Sequence, residues 1–461
     1  MSSSYQQFKI HSNSFCVYDQ LCVSMVTSRF YFVLLVCILS AFTSGLTFGF
    51  SSATTLQIYF NTIWAAVFGS LLNVGGVIGS LLSTWLICHY GHRRTLFLSY
   101  SLSILGWVLL FFSSPAVYEQ YSPTVQFMLG RLLTGIGCGL TLTTNVIYVY
   151  EIIPSSSKVL MGSLFQVGIT CGIVADYTLA IFLNWDVISL VCALAVSFVA
   201  FLTYMLPESS EWCVKMGNLQ SAEASHYWLY GSEIPFKEDG NNLIINGNVS
   251  HDLSNLSTKS YTGSSYVLID STSKLRTIFI LMTLQQLTGM NVIIYFAESI
   301  CLYGGLVSYQ CGSNMGLCLF ISSIVSVFVV RKFSWKKLLQ VGAVILALCH
   351  LWFSLTVLTR SSMSSMHQIY LIICAITFAC SWGPLPLLIT LESFGTVNRN
   401  YAIKSSLTVG WIVGFFVIFI FEPFISWTNV SVLFCIFSLS CLLSCGYVYF
   451  NIHDVKLMNT T

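Results

Sequence analysis

This chain has 461 residues, of which 56% are hydrophobic and only 8% are charged, with a formal net charge of +2. A soluble domain carries about 25% charged residues, so this composition excludes an ordinary soluble fold and predicts a surface that mostly faces lipid. The small net charge and the lack of a basic run in the sequence give no support for a nucleic-acid partner.

The first 29 residues are polar and mixed, without a continuous apolar core. They do not resemble a cleavable signal peptide, and we expect 1–29 to be a cytosolic N-terminal segment. A membrane-spanning helix needs about 20 apolar residues. By that measure the sequence predicts an all-α membrane protein with twelve transmembrane helices, at 30–50, 63–88, 95–113, 125–148, 160–182, 187–206, 277–300, 313–330, 338–358, 368–391, 404–424 and 429–450.

The twelve predicted spans divide into two groups of six. Residues 30–206 are predicted to form an N-terminal bundle and residues 277–450 a C-terminal bundle. Between them, 207–276 is polar and rich in Ser and Asn, which indicates a flexible cytosolic linker with short helices near 218–230. Residues 451–461 remain as a short cytosolic tail.

Lysine and arginine set the expected orientation, because cytosolic loops carry an excess of both. With the N-terminus in the cytosol, seventeen of the nineteen Lys and Arg residues are cytosolic, and only Arg131 and Arg360 lie toward the outside. We therefore predict a multi-pass protein of the plasma membrane with both termini cytosolic. We expect no glycan at the four N-x-S/T sequons, which fall in cytosolic segments or at a helix end: Asn248, Asn255, Asn429 and Asn459.

Most of the seventeen cysteines lie inside apolar stretches, where cysteine acts as a small hydrophobe. Cys301 and Cys311, in a predicted outside loop, are the one pair considered as a disulfide. Histidine and cysteine do not cluster at metal-ligand spacings, and the sequence has no Ser/His/Asp or phosphate-cradling arrangement. We therefore expect neither a cofactor nor an enzyme, and interpret His89 and His92 as loop cations.

The two halves resemble each other in the position of their charges. A basic cluster follows the second helix of each half, HYGHRR at 89–94 and RKFSWKK at 331–337. After the fourth helix of each half comes a carboxylate followed by a cation, which are Glu151 with Lys158 and Glu392 with Arg399. Two similar six-helix bundles indicate a transporter built of repeats, with the solute site at their interface.

Seven motifs in chain order resemble the sugar porters of the major facilitator superfamily, and most closely the facilitated glucose transporters. The resemblance runs through most of 40–425. The motifs are NVGGVIGSLL with GHRRTLFL, GRLLTGIGCGL, YVYEIIP, MGSLFQVGITCGI, PESSEW, QQLTGMN and GPLPLLITLESF. The resemblance implies the major facilitator fold of two six-helix bundles, a small-molecule sugar as substrate and lipid around the helices, and it leaves the oligomeric state open.

In that family, carboxamides and aromatic rings bind the sugar hydroxyls. A carboxamide both donates and accepts hydrogen bonds, so it can replace the water around a hydroxyl without carrying charge. Tying helices together is the alternative role for such amides. The resemblance implies six substrate-binding residues in this chain: Gln166, Gln285, Gln286, Asn291, Tyr295 and Trp411, with Phe296 beside Tyr295.

Helix geometry adds a condition to this site. Gln285 and Asn291 would lie about 120° apart on a regular helix, so a straight seventh helix would not aim both at one ligand. Gly289 between them is a candidate break. In the tenth helix, Gly383, Pro384 and Pro386 are expected to act in the same way, because proline removes a backbone donor. A packing kink without motion is the alternative.

The resemblance also implies a cytosolic gate of ion pairs that hold the two bundles together. Its predicted members are Glu151, Lys158, Glu392, Arg399 and Arg93. Such pairs contribute little energy each, which suits a contact that forms and breaks. Ordinary enrichment of positive charge on the cytosolic side is the alternative explanation for the cations.

Proton-coupled relatives carry an aspartate in the first helix, where this chain has Ser51 in the run FGFSS. Coupling to protons needs a group that titrates within the membrane. Asp176 and Glu298 are placed near the outer ends of their helices, and we interpret Asp176 as a hydrated helix-end residue. We therefore expect facilitative hexose transport, of a sugar such as glucose, without ion coupling.

Several positions depart from the family pattern. Arginines of the family are replaced by His92 and Glu211. Polar or aromatic site positions are occupied by Leu319, Ala379, Leu387, Gly410 and Gly414. Two alternatives to a facilitator therefore stay open, which are a transport-deficient homologue that acts as a sensor or interaction protein and a proton-coupled symporter.

Overall fold

The computed structural model describes the chain in segments that together contain the helices and strands reported below. These segments are 28–57, 62–114, 124–153, 158–230, 237–239, 242–245, 248–249, 264–303, 310–359, 364–394 and 396–452. Most of the predicted N-terminal segment and tail, with Arg360, Asn255 and Asn459, lies outside the described residues.

Six long helices form the N-terminal half. Their bounds are α1 Ser28–Gln57, α2 Thr62–Tyr90, α3 His92–Phe111, α4 Thr124–Ile152, α5 Lys158–Phe182 and α6 Trp185–Tyr204. Glycines let α2 and α4 approach closely, as small residues do between membrane helices. A Cβ on Gly75 would lie 2.5 Å from the Leu132 carbonyl oxygen, and one on Gly139 would lie 2.4 Å from that of Gly76.

Two short helices and three short strands lie in the described part of the region between the halves. Helices α7 (Ser210–Lys215) and α8 (Leu219–Tyr230) are followed by strands β1 (Lys237–Asp239), β2 (Asn242–Ile245) and β3 (Asn248–Val249). The strands form an antiparallel sheet in the order β1–β2–β3. The prediction of short helices near 218–230 is confirmed by α8, and the strands between 237 and 249 were not predicted.

The C-terminal half contains four long continuous helices and two spans that are divided into shorter helices. Its elements are α9 Ser264–Leu287, α10 Met290–Tyr295, α11 Ala297–Tyr303, α12 Gln310–Lys332, α13 Trp335–Leu358, α14 Ser364–Cys380, α15 Leu385–Ser393, α16 Thr396–Trp427 and α17 Val430–Asn451. The predicted seventh span is divided into α9, α10 and α11, and the tenth into α14 and α15. Helix α9 begins inside the predicted linker.

Eleven helical spans in the described part of the chain are long and apolar enough to cross a membrane, and the broken seventh span completes the twelve. Large apolar side chains point outward from them. On α6, Leu194, Phe198 and Phe201 are 63%, 58% and 65% exposed. Their spacing of four and three residues places them on one face of the helix. The apolar composition is thus explained by helix faces that are suited to contact lipid.

The two halves meet along two helix pairs. Helix α2 packs against α16, and α5 packs against α12, so that each half contributes one long helix to each contact. Shorter contacts join α10 and α11 to α1. The space left between these pairs lies midway along the helices and holds the cavity described below.

Candidate functional site

A cavity of about 170 Å³ lies between the two halves, with side chains from α1, α2, α4, α5 and from the C-terminal half. At roughly 30 Å³ for each water molecule in the liquid, it holds about six waters, which is the scale of a small solute. All six residues predicted to bind substrate line this cavity: Gln166, Gln285, Gln286, Asn291, Tyr295 and Trp411.

The seventh span turns at Gly289, which has φ of 75° and ψ of −3° in the left-handed region. Helix α9 ends just before it and α10 begins just after it, so the predicted break is confirmed. The turn brings the Asn291 amide back to donate from Nδ2 to Oε1 of Gln286. A Cβ on Gly289 would lie 2.6 Å from the Phe437 ring, which leaves room only for glycine.

Gln285 connects this break to the break in the tenth span. Its Nε2 donates to the carbonyl oxygens of Trp382 at 2.7 Å and Gly383 at 3.0 Å, in the segment between α14 and α15. The Gln285 amide, at the end of α9, therefore bonds the segment in which the tenth span is broken. Pro384 and Pro386 lie at the start of α15, directly after this break. The helix-tying role thus applies to the Gln285 donors, although its side chain also lines the cavity.

Gln166, on α5, faces the same segment from the N-terminal half. Among the described residues its side-chain amide has no hydrogen-bond partner, and its Nε2 lies 3.5 Å from where a Cβ on Gly383 would be. An amide that lines a cavity without a protein partner is available to a solute hydroxyl.

Aromatic rings form one wall of the cavity. The ring centroids of Phe48 and Trp411 are 5.9 Å apart, and those of Phe48 and Tyr295 are 6.2 Å apart. Phe296 is fully buried and stacks on Phe421 with centroids 4.7 Å apart, away from the cavity lining. Apolar faces of a sugar pack well on such rings, as apolar pockets with a few polar groups usually do.

Asn73, on α2, also lines the cavity and was missed by the sequence analysis. The sequence offers a sign of this role, because Asn73 is the amide that begins the otherwise apolar run NVGGVIG. Three of the altered positions line the cavity as well, which are Leu319, Leu387 and Gly410. They leave that part of the wall apolar.

On the side of the fold that carries α7 and α8, here called the linker side, Glu151 is the centre of a polar cluster. It is 7% exposed. Its carboxylate accepts from the Ser209 hydroxyl at 2.5 Å and from Nδ2 of Asn400 at 3.2 Å. Because Asn400 belongs to α16, this bond joins the two halves, and the partner of Glu151 in the other half is an amide rather than a cation.

His92 was interpreted as a loop cation, but it is fully buried at the start of α3. Its Nδ1 lies 3.2 Å from Oε1 of Glu208, and its Nε2 lies 3.4 Å from Oε2 of Glu151. Its backbone N–H donates to Glu208 at 2.8 Å. A histidine between two carboxylates takes the place of the expected arginine, and packing against the residues after α6 removes it from water.

The other predicted gate residues are arranged differently from the expectation. Arg399 lies 3.8 Å from Glu211, the residue found where an arginine was expected. Burial, followed by the neighbouring Glu151, raises the pKa of Glu211 above its usual value. The Nζ of Lys158 lies 5.9 Å from the centroid of the Tyr150 ring. Arg399, Glu392 and Glu211 act electrostatically on its charge.

Two members of the predicted gate do not join the halves in this conformation. Glu392 is exposed and has no ion pair within 4 Å among the described residues. Arg93 donates to the Leu206 carbonyl oxygen at 3.2 Å and lies over the Tyr204 ring, which are both at the end of α6 in its own half. Its contact is therefore internal to the N-terminal half.

The opposite side of the fold also has contacts between the halves. The backbone N–H of Glu298 donates to the Ser52 hydroxyl at 3.2 Å, and the Tyr177 hydroxyl donates to the Ile294 carbonyl oxygen. Cys301 and Cys311 form a disulfide on this side, as considered from the sequence. The cavity therefore has contacts between the halves on both of its sides.

Asp176 was interpreted as a hydrated helix-end residue, and this is wrong because it is fully buried. The Cys192 thiol lies 3.9 Å from its Oδ1, while its Oδ2 has no hydrogen-bond partner. Arg131 acts on it electrostatically and is itself fully buried, bonded to the Thr47 carbonyl oxygen at 3.0 Å and to the Ser51 hydroxyl. Packing of α5 against α1 and α6 excludes water here.

The sequence of this chain is similar to those of known transporters. The sequence profile of the family described as "Sugar (and other) transporter" matches residues 17–460. The chain is 26% identical over 451 residues to the sugar transporter ERD6 of Arabidopsis thaliana, which covers 94% of this chain and 86% of that protein. It is 24% identical over 425 residues to the low-affinity glucose transporter HXT4 of Saccharomyces cerevisiae (strain JAY291), with 86% and 71% covered.

Among solved structures, the fold is similar to that of the xylose transporter XylE from E. coli in a partially occluded inward-open conformation. The TM-score is 0.75 at 17% sequence identity, over 93% of this chain and 99% of that one. The crystal structure of a D-xylose-proton symporter is similar at a TM-score of 0.73 and 18% identity, over 93% and 99% of the two chains. At these identities the likeness establishes the major facilitator fold.

Proposed function

This chain belongs to the sugar transporter family and has the major facilitator fold, and we propose that it carries a hexose such as glucose across a membrane by alternating access. Transport rather than an enzymatic reaction is the proposed activity. One observation supports it most directly: amides from both halves, Gln166 on one side and Gln286 with Asn291 on the other, line one cavity together with aromatic rings.

The chemistry of the lining suits a neutral solute with many hydroxyls. Each sugar hydroxyl that leaves water must find another partner, since an unsatisfied one costs about 1–3 kcal/mol. The Gln166 amide has no hydrogen-bond partner among the described residues, and the buried Nδ2 of Asn73 makes no well-formed hydrogen bond. A sugar would satisfy these groups and its ring would lie against Trp411.

The two broken spans offer a way for the cavity to open alternately to the two sides of the membrane. Gln285 holds the segment around Gly383, so a ligand that contacts Gln285 also reaches the hinge between α14 and α15. The contacts on each side of the cavity are partly polar, such as Asn400 with Glu151 and Glu298 with Ser52. We propose that these two sets open in turn.

For ion coupling, we propose uncoupled facilitation. On α1 the Arg131 guanidinium meets the Ser51 hydroxyl, so the partner there is neutral. Proton coupling is the second candidate, because Asp176 is a buried carboxylate with one oxygen unpartnered and Arg131 near it. Neither residue lines the cavity, which favours facilitation. If Asp176→Asn abolishes sugar-driven proton movement into liposomes, coupling is the correct reading.

We also propose that the protein lies in the plasma membrane with both termini cytosolic, and that residues 30–206 and 277–450 are its two moving units. The disulfide between Cys301 and Cys311 supports this orientation, since an oxidising exterior maintains such bonds. In whole cells, an impermeant maleimide should label this pair only after an impermeant reductant is added outside. Labelling that requires a permeabilised membrane would indicate the opposite orientation.

The central experiment is uptake and counterflow of labelled hexoses by proteoliposomes that contain the purified protein. We expect saturable exchange of at least one hexose, weakened in Gln166→Leu and unaffected by a proton gradient. Gln126→Leu is the matched control, because that amide donates to the Leu109 carbonyl oxygen at 3.3 Å outside the cavity. A folded wild type that exchanges no sugar would instead support the sensor or interaction protein.

A further inference from the structure

We propose that Asn73 is a sugar-binding residue, and that it forms with Gln286 a clamp of two amides, one from each half, around a single sugar hydroxyl. This inference rests on the proposed function and deepens it by naming a specificity-determining contact. Asn73 belongs to α2, and Gln286 belongs to the end of α9 on the opposite side of the interface. Both line the cavity.

The first observation is the buried donor of Asn73. Asn73 is 4% exposed, and its Nδ2 is buried beside the Tyr295 hydroxyl without a well-formed hydrogen bond to it. Buried amides are nearly always bonded to protein or water, so such a donor on a cavity wall is free to bond a water molecule or a solute hydroxyl that displaces it. Tyr295, whose hydroxyl lies beside Asn73, lines the same wall.

The second observation is the space opposite Asn73. A Cβ on Gly414 of α16 would lie 3.0 Å from Oδ1 of Asn73 and 3.3 Å from Oε1 of Gln286. A side chain at 414 would therefore crowd the oxygens of both amides. One turn earlier, a Cβ on Gly410 would have only Nε2 of Gln286 nearby, at 3.5 Å.

Together these glycines make α16 flat where the two halves meet, so amides from α2 and α9 come together over it. Gly410 and Gly414 of α16 provide no polar side chain here, and Asn73 of α2 provides one instead. A hydroxyl between Asn73 and Gln286 would accept from one amide and donate to the other, as only an uncharged group of both kinds can. Because the amides belong to different halves, this hydroxyl would also hold the halves together.

The alternative is that Asn73 only stabilises the packing of α2. The two roles differ in what they predict for sugars that lack one hydroxyl. A site built to bond a hydroxyl discriminates against the analogue that lacks it, because its own polar groups are left unpaired. A packing role would lower the affinity for every sugar alike.

The test is binding of glucose and of each single-position deoxyglucose to the purified full-length protein, measured by calorimetry. In Asn73→Leu we expect glucose affinity to fall by about threefold to tenfold, while one deoxy analogue binds the variant and the wild type equally. Gly414→Ala leaves Asn73 in place but crowds its Oδ1, and should weaken the same hydroxyl contact. This second variant decides the matter if Asn73→Leu does not fold.

Asn145→Leu is the matched control, since this buried amide donates from Nδ2 to the Cys37 carbonyl oxygen at 2.8 Å and does not line the cavity. It should change the melting temperature without changing selectivity among the analogues. An equal loss for all sugars in both test variants, or no loss, overturns the clamp and leaves the proposed function intact. A folded wild type that binds no hexose overturns both.

Discussion

Gly76 and Trp411 are fitted against each other across the interface between the two halves. A Cβ on Gly76 would lie 2.4 Å from Cδ2 of the Trp411 ring, closer than any ordinary contact. The ring can therefore lie flat on α2 only because residue 76 has no side chain. This close approach places the indole on the cavity wall beside Phe48.

Gly76→Ala should therefore displace the Trp411 ring and weaken sugar exchange by at least tenfold. The backbone itself is helical, and alanine favours a helix over glycine by about 1 kcal/mol, so misfolding is not the expected cause. The measurement is KM for hexose counterflow. Gly446→Ala on α17 is the control, because nothing lies within 4 Å of its Cβ position. An unchanged KM would mean that Trp411 does not contact the sugar.

Gln166→Leu should raise the KM for hexose about twofold to tenfold, the effect of one hydrogen bond of 0.5–1.5 kcal/mol. Stability should change little, because the amide has no protein partner among the described residues. Thermal unfolding and counterflow of the same preparation would separate the two effects. A variant that melts early and keeps the wild-type KM would assign Gln166 a structural role.

His92→Gln should lower the stability of the linker side by about 3 kcal/mol, as expected when one partner is removed from a buried ionic cluster. A protonated imidazole is charged and can donate to Glu151 and Glu208 from opposite sides of its ring, whereas the glutamine amide is neutral and carries both of its N–H donors on one nitrogen. His92→Arg keeps the positive charge and should remain close to the wild type. The exposed His89, changed to Gln, is the control in a thermal unfolding assay. Equal melting of all four proteins would contradict the cluster.

Glu211→Gln should stabilise the protein at neutral pH and lose this effect in acid. Burial and Glu151 raise the pKa of Glu211 above 4.5, so the folded chain binds its proton more tightly than the unfolded chain does. The ionised carboxylate therefore destabilises the fold at pH values above the raised pKa, and this penalty disappears as the pH falls through that pKa toward 4.5.

The measurement for Glu211 is the melting temperature of variant and wild type between pH 4 and pH 8. Glu223→Gln, which removes an exposed carboxylate on α8, should show no such pH-dependent difference. A Glu211→Gln variant that is less stable at neutral pH would show that the contact with Arg399 at 3.8 Å outweighs the cost of burial.

Much of the fold could be read from the chain because it depends on local patterns. Apolar stretches of membrane-spanning length predict the helices, and the linker divides them into two halves. The break at Gly289 was also predictable, since Gln285 and Asn291 could share a ligand only if the helix between them turned. The cavity between the halves is lined by several of the amides that stand out in an apolar sequence.

Partners far apart in the chain could not be assigned in this way. Asn400 bonds Glu151 across 249 residues, and Arg399 approaches Glu211 instead of the carboxylates placed nearby by the repeat. Asp176 sits near a helix end in the sequence, yet neighbouring helices cover it completely. Sequence alone determined which segments cross the membrane and which polar groups they carry, because hydropathy and helix period are local. Only the tertiary structure decided which of those groups meet and which are buried, because packing between helices sets both.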